Sequence, residues 1–135
     1  MSESGGGFLM TPARFPGRAP IDAYGNSGFR FADMSHRGSI LALPSGIEAW
    51  AATSAAEIDP AALSRVIDEA AAIEILLIGT GPEMQPLSRE ARATLMAANI
   101  EPELMATGAA VRTFNVLLSE ERAVAAALIA VESAR

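Results

Sequence analysis

Residues 73–81 read Ile-Glu-Ile-Leu-Leu-Ile-Gly-Thr-Gly, an apolar run interrupted by one acid and closed by two glycines. Such a run leaves no face for water, and the alternation of a half-exposed strand is missing. It fits a strand buried on both sides, as in a parallel or mixed sheet covered by helices. The rest of the chain must therefore supply the covers.

The flanking residues offer them. Asp59-Pro60 is a helix start, with Asp capping the first free amides and Pro in the first helical position. Leu63, Val66, Ile67 and Ala70 then recur at the spacing of a buried helical face, with Arg65, Asp68 and Glu69 on the other side. This helix is expected to end near Ala72. Ser88 is expected to cap a second helix running to about Ala98. Asn99 then takes a left-handed position that lets Ile100 pack back on Leu95. Pro102 interrupts the chain, and residues 103–106 are read as short and extended. A third helix is expected from Thr107 to Glu121 or Arg122. On it Ala110, Val111, Phe114, Leu117 and Leu118 form an apolar stripe, and Gly108, Arg112, Asn115 and Ser119 form a polar one. The last apolar run, residues 123–131, has the alanines of a helix and the Val, Leu and Ile of a strand, and is taken as a buried strand.

Ahead of these elements, residues 21–31 and 38–43 read as strands, with Gly25, Gly28 and Gly38 at turns. Pro44-Ser45-Gly46 makes a turn, and residues 47–51 resume an extended segment in which Trp50 is read as a core anchor. Residues 1–18, rich in Gly, Ser and Pro, are expected to be a flexible arm, leaving residues 19–135 as a single domain. The order is α/β after an N-terminal β portion.

Composition then narrows the chemistry. The 135 residues contain no Cys, a single His and no Lys, all ten basic residues being Arg. Disulfides, thiolate nucleophiles, Schiff-base catalysis and a phosphate-loop lysine are thereby excluded. One His is too few for an ordinary transition-metal site, so no metal and no cofactor is expected. The net charge of −6 argues against nucleic acid. No run is long enough to cross a bilayer, and the first residues lack the pattern of a secretory signal. A cytoplasmic protein without membrane insertion is the expectation.

The candidate site residues are Gly79, Thr80, Gly81, Thr107, Gly108, Arg112 and Asn115. Gly79-Thr80-Gly81 follows the buried strand at the sheet's carboxyl edge, where open α/β sheets place ligands. Its amides could cradle an anion with Arg112, although Pro82 removes one donor, and a plain glycine turn explains it equally well. Thr107-Gly108 opens a helix, and Thr107 as N-cap is the simpler account of it. Arg112 and Asn115 lie within reach of one partner, and Asn in mid-helix asks for a reason. His36 beside Ser39 lacks the elbow of a hydrolase and reads as a turn histidine. No catalytic residue is assigned.

Several segments together carry a family resemblance: Gly28-Phe29-Arg30-Phe31, Gly38-Ser39-Ile40-Leu41-Ala42-Leu43-Pro44 with Trp50, residues 75–81, 103–107 and 109–117, and the stretch from Glu120 to Ile129. In order and spacing, over about residues 20–130, they resemble the small α/β domain family that includes the mitochondrial NADH:ubiquinone oxidoreductase (complex I) assembly factor 3 and the adipogenesis-associated protein of the same domain. Bacterial and archaeal members are mostly single-domain proteins of unestablished function. The resemblance implies a three-layer fold around a central mixed sheet, the final apolar run as a strand, and a non-enzymatic role through protein partners. It supplies no catalytic residues. The chain departs from the family at His36, where an aromatic is common, and at Asn99 and Glu121, where glycine is common. The expected function is an interaction or assembly factor, serving a respiratory or other membrane complex, with a homodimer as a further expectation. The alternative is a small-molecule or anion binder, or an undetected enzyme, using the Gly79–Gly81 turn and Arg112.

Overall fold

The computed structural model describes residues 14–134. Along them run strands β1 (Arg14–Phe15), β2 (Ile21–Gly25), β3 (Gly28–Phe31), β4 (Met34–Arg37), β5 (Ser39–Leu43) and β6 (Gly46–Trp50). Helix α1 (Ser64–Asp68), strand β7 (Ile75–Gly79), helix α2 (Arg89–Ala97), strand β8 (Glu103–Met105), helix α3 (Thr107–Ser119) and strand β9 (Val124–Leu128) follow. Residues 1–13 of the expected arm lie outside the described residues, and Arg14–Phe15 pairs with β6.

Six strands form one mixed sheet in the order β1-β6-β5-β9-β7-β8. β5 and its hairpin partner β6 are antiparallel, and β9, β7 and β8 run parallel. β2, β3 and β4 form a separate antiparallel sheet. The expected doubly buried strand is β7: Leu76 and Ile78 point into one apolar cluster and Leu77 into the other. β5 and β9 divide in the same way, Leu41 and Leu43 against Ile40 and Ala42, and Ala125 and Ala127 against Val124, Ala126 and Leu128. One cluster is closed by Leu63 and Val66 near α1 and by Ala91 and Leu95 of α2. The other is closed by Ala110, Val111 and Phe114 of α3 together with Ile21, Phe29 and Phe31 of the small sheet. The result is a three-layer α/β domain.

β9 shows tertiary context overriding local propensity. Its Val-Ala-Ala-Ala-Leu sequence has helical character, yet it lies between β5 and β7, hydrogen-bonded on both edges and buried on both faces. The alanines also let the layers come close.

Three expectations are corrected. The single helix expected from Pro60 to Ala72 is broken into a 3-10 turn at Ala61–Leu63, the short α1, and a second 3-10 turn at Ala70–Ala72. Its buried face and its start survive, because the Asp59 carboxylate accepts a hydrogen bond from the Ala62 amide at 2.8 Å. The strand expected over residues 21–31 is divided into β2 and β3 by a tight turn at Asn26-Ser27, between the two glycines expected at turns. His36, read as a turn residue, lies in β4 opposite Phe29. Trp50 is buried, its indole N–H donating to the Ala62 carbonyl at 2.8 Å.

α2 is fixed at both ends as its sequence implies. Ser88 accepts from the Ala91 amide at the start of α2. At its end Asn99 has φ +61° and the Ile100 amide returns to the Leu95 carbonyl. α3 stops at Ser119, short of the expected Glu121 or Arg122, because Glu121 adopts φ +61° and the Arg122 amide folds back to Leu117. A polar clamp then ties the α1 layer to the β5–β6 hairpin. Arg65 reaches Glu48 at 3.1 Å and Glu69 at 2.9 Å, and Glu69 also accepts from the Ser45 amide and hydroxyl. Burial pushes the Glu69 carboxyl up, but the Ser45 hydrogen bonds and Arg65 outweigh it and hold it below the usual range.

The left-handed positions give a paired prediction. Glu121 has no local reason to tolerate φ +61°, whereas asparagine adopts that region readily. Glu121→Gly is expected to stabilise the protein by about 1 kcal/mol, raising Tm by about 3 °C, and Asn99→Gly by no more than a few tenths of a kcal/mol. Calorimetry on the two variants measures both, and equal shifts would contradict the assignment.

Candidate functional site

Six of the seven residues singled out by sequence lie around the carboxyl end of β7 and the first half of α3. Asn115 lies further along α3 against β2, and most of the seven are occupied in holding the layers together. Gly79 ends β7 directly beneath α3. A Cβ there would lie 2.8 Å from the Thr107 Cα, so only glycine permits this approach. Thr80 is buried, its amide donating to the Met105 carbonyl at 2.9 Å. Its hydroxyl oxygen accepts from the Gln85 amide at 2.8 Å and organises the loop after β7. Gly81, at φ +120°, donates its amide to the Thr107 hydroxyl at 3.0 Å. The Thr80 and Gly81 amides, read as possible anion donors, are thus already bonded within the fold.

Thr107 does not cap its helix. Ala106 is the N-cap residue, and no side chain caps the helix there. The Thr107 side chain is fully buried, donates to the Ile129 carbonyl at 2.7 Å and accepts from Gly81, while its own amide donates to the Gly81 carbonyl at 2.8 Å. It joins the loop after β7, the first turn of α3 and the end of β9.

Asn115 has an equally internal occupation. Its Oδ1 accepts from the Ile21 amide at 2.8 Å and its Nδ2 donates to the Ile21 carbonyl at 2.9 Å. The side-chain amide pairs with β2 as a neighbouring strand would, and this anchors the small sheet to α3. Two such bonds, at about 1 kcal/mol each, exceed the propensity penalty of about half a kcal/mol for asparagine in a helix.

Gly81, Gly108 and Arg112 remain together as lining of a cleft of about 120 Å³, shared with Tyr24, Pro82 and Ala106. Arg112 is exposed and points its Nη1 at the Tyr24 hydroxyl, 3.4 Å away. A second cleft, of about 320 Å³, lies beside the carboxyl ends of β7 and β9 between Thr53, Ser54, Thr80, Gly81, Gln85 and Ala130. A third, of about 450 Å³, lies on the small sheet among Tyr24, Gly28, Arg30, Ser35, His36 and Arg37. Composition and spacing pointed to none of this third group. Its signal was the alternation Gly28-Phe29-Arg30-Phe31, which places a cation on the face opposite two core aromatics.

His36 and Ser39 do not form a nucleophile–base pair. The imidazole Nε2 lies 3.3 Å from the Ser39 main-chain oxygen, and the Ser39 hydroxyl accepts from the Ala130 amide. Among the described residues, no three His, Cys, Asp or Glu side chains are grouped to hold a metal ion, and no helix is long and apolar enough to cross a membrane.

Comparison with known proteins places this architecture in context. Residues 21–129 match the family described as "Protein of unknown function (DUF498/DUF598)". An uncharacterized protein of Rhodobacter capsulatus is 39% identical over 115 residues, covering 85% of this chain and 87% of that protein. The NADH dehydrogenase (ubiquinone) 1 alpha subcomplex assembly factor 3 of Danio rerio is 35% identical over 109 residues, 81% of this chain. The chain spans only 63% of that relative's length. Among solved structures, a Bartonella henselae protein described as an outer membrane protein is 60% identical with a TM-score of 0.81, covering 87% of this chain and 99% of that one. A Mth938-like domain of Bordetella pertussis is 26% identical with a TM-score of 0.73, covering 85% and 88%.

The position of Thr107 makes a direct prediction. Thr107→Val keeps the shape but strands the Gly81 amide and the Ile129 carbonyl, and should cost about 2–4 kcal/mol. Thr107→Ser keeps the hydroxyl and should cost about 1 kcal/mol for the lost methyl. Urea denaturation of both measures the losses, and a Thr107→Val cost of about 1 kcal/mol or less, the size of a lost helix cap, would contradict the buried pin.

Proposed function

The chain belongs to the DUF498/DUF598 family, and from that membership we propose that it is a non-enzymatic interaction factor assisting assembly of a larger, membrane-bound complex. The observation that carries this reading is the alignment with complex I assembly factors of several animals at 30–35% identity over four fifths or more of this chain. The partner face we assign is the outward row of α3, where Gly108 and Arg112 are followed one turn later by Val116, a 56% exposed apolar residue. A cation beside an exposed aliphatic is the composition of a contact surface rather than of a reaction centre. Asn115 is left out of that face because its amide holds Ile21.

Affinity purification of the tagged chain from its native cells, membranes included, tests the proposal. Enrichment of several subunits of one complex is expected, with Arg112→Glu reducing recovery roughly threefold to tenfold. Failure to enrich any subunit set would remove the assembly reading.

A second reading, a small anion in the cleft of Gly81, Gly108 and Arg112, is favoured by the convergence of these three residues at one end of α3. Titration with inorganic phosphate followed by amide NMR is then expected to shift Gly108 and Ala109 saturably at millimolar concentration. Unmoved resonances there would eliminate it.

A further inference from the structure

The β2–β4 sheet has one face against the core and one over which, among the described residues, no helix or strand packs, with Ala134 beside Gly25 at its margin. Ile21, Phe29 and Phe31 occupy the inner face. The strand registers place Ala23, Arg30 and Ser35 in one row of the outer face and Gly25, Gly28 and Arg37 in the next. Arg30 and Arg37 are therefore diagonal neighbours on adjacent strands, both exposed, beside a row whose other members are glycines. Neither glycine position can be filled. A Cβ on Gly28 would lie 2.2 Å from the His36 carbonyl oxygen, and Gly25 has φ +125°. The cleft of about 450 Å³ is built into the backbone.

Among the described residues no carboxylate pairs with the charges there. Arg14, Arg65 and Arg122 are in ion pairs. Arg30 donates only to the Ser35 hydroxyl at 3.1 Å, and among the described residues neither Arg30 nor Arg37 meets a carboxylate. Two like charges on neighbouring strands repel, so this face is improved by a bound anion. It is a cationic patch on a chain of net charge −6, which fixes where an acidic partner docks even though the whole molecule would repel it.

The edge of the sheet defines the shape of that partner. β4 is an outer strand of the order β2-β3-β4. The hairpin closes through Ala32 and Asp33, at φ +49° and +62°, on the pair Phe31 and Met34. In a two-residue hairpin of this kind the closing pair is hydrogen-bonded and pairs alternate from it. The main-chain groups of Ser35 and Arg37 consequently face away from β3. An added strand would bond to them and set alternate side chains, about 7 Å apart, alongside the two arginines.

We infer that the outer face and the β4 edge of β2–β4 dock an extended, carboxylate-rich segment of a protein partner, Arg30 and Arg37 pairing with its alternate acidic side chains. This rests on the assembly reading and extends its surface. Tyr24, which meets Arg112 on α3, also lines this cleft, so the two faces adjoin.

The probe is a ten-residue peptide of alternating Glu and Thr, titrated into the labelled full chain, with a Lys–Thr peptide and inorganic phosphate as comparisons. Saturable shifts at residues 28–37 with the acidic peptide alone are expected, weakening as salt rises. Arg30→Glu with Arg37→Glu should weaken binding by about tenfold or more. Arg30→Gln with Arg37→Gln should do so to a lesser degree, and it serves the same purpose if the charge reversal disturbs folding. Equal binding by the double variants, equal binding of the Lys peptide, or saturation of the same amides by phosphate alone would overturn the proposal. In native affinity purification, undiminished recovery of the complex by the double variant overturns this surface and leaves the assembly reading standing. Loss of all partners by the wild-type chain overturns the assembly reading instead.

Discussion

The buried hydroxyl of Thr107 is the contact on which the arrangement of the other layers depends. It lies where three segments converge, giving a hydrogen bond to the end of β9 and taking one from the loop after β7. A polar group at zero exposure is tolerated only if its bonds are made, and here each bond also satisfies a main-chain group that would otherwise be orphaned. The same contact brings α3 so near the sheet that Gly79 can carry no side chain. With α3 fixed in height and rotation, Ala110, Val111 and Phe114 enter the core, and Asn115 is presented at the level where Ile21 needs a partner. The small sheet is thus placed through a chain of specific contacts that begins at Thr107.

This dependence explains which parts of the fold were legible in the sequence. β7 could be read because a strand buried on both faces has no polar residue to disguise it. Asp59, Ser88 and Asn99 could be read because a cap acts on amides a few residues away. Glu121 was visible only as a departure from a family pattern, and its positive φ supplies the physical reason why glycine is common there. β4 was missed because Met-Ser-His-Arg has weak strand propensity, and its pairing is imposed by the turn at Ala32-Asp33. The helix after Asp59 was overread, since apolar spacing reports which side is buried and does not report whether the hydrogen bonds are α or 3-10.

The candidate site divides along the same line. Mid-helix asparagine and a threonine at a helix start were correct signals that something specific happens at Asn115 and Thr107. Their partners lie 94 and 22 to 26 positions away in the chain, and no local pattern can name them. Both residues are therefore part of the scaffold. Arg112 differs, being exposed on α3, and Arg30 and Arg37 are exposed on the small sheet, where among the described residues neither meets a carboxylate.

The proposed partner-binding role also accounts for why so much polar chemistry is spent internally. Association loses the freedom of any side chain or loop that must be ordered in the complex, and a surface already held in place avoids that loss. The pin at Thr107 and the Asn115 amide hold α3 and β2 rigidly with respect to each other, so Arg112, Tyr24 and the outer face of the small sheet are presented in one fixed geometry. Arginine suits such a surface better than lysine, because a planar fork of donors keeps its direction when a carboxylate arrives, and this chain uses arginine alone. A catalytic site on the same frame would instead need titratable groups converging on one cavity. The clefts here are lined largely by glycine, alanine, serine, threonine and arginine, which can recognise a shape and a charge, and the one imidazole among them, His36, has its Nε2 3.3 Å from the Ser39 main-chain oxygen.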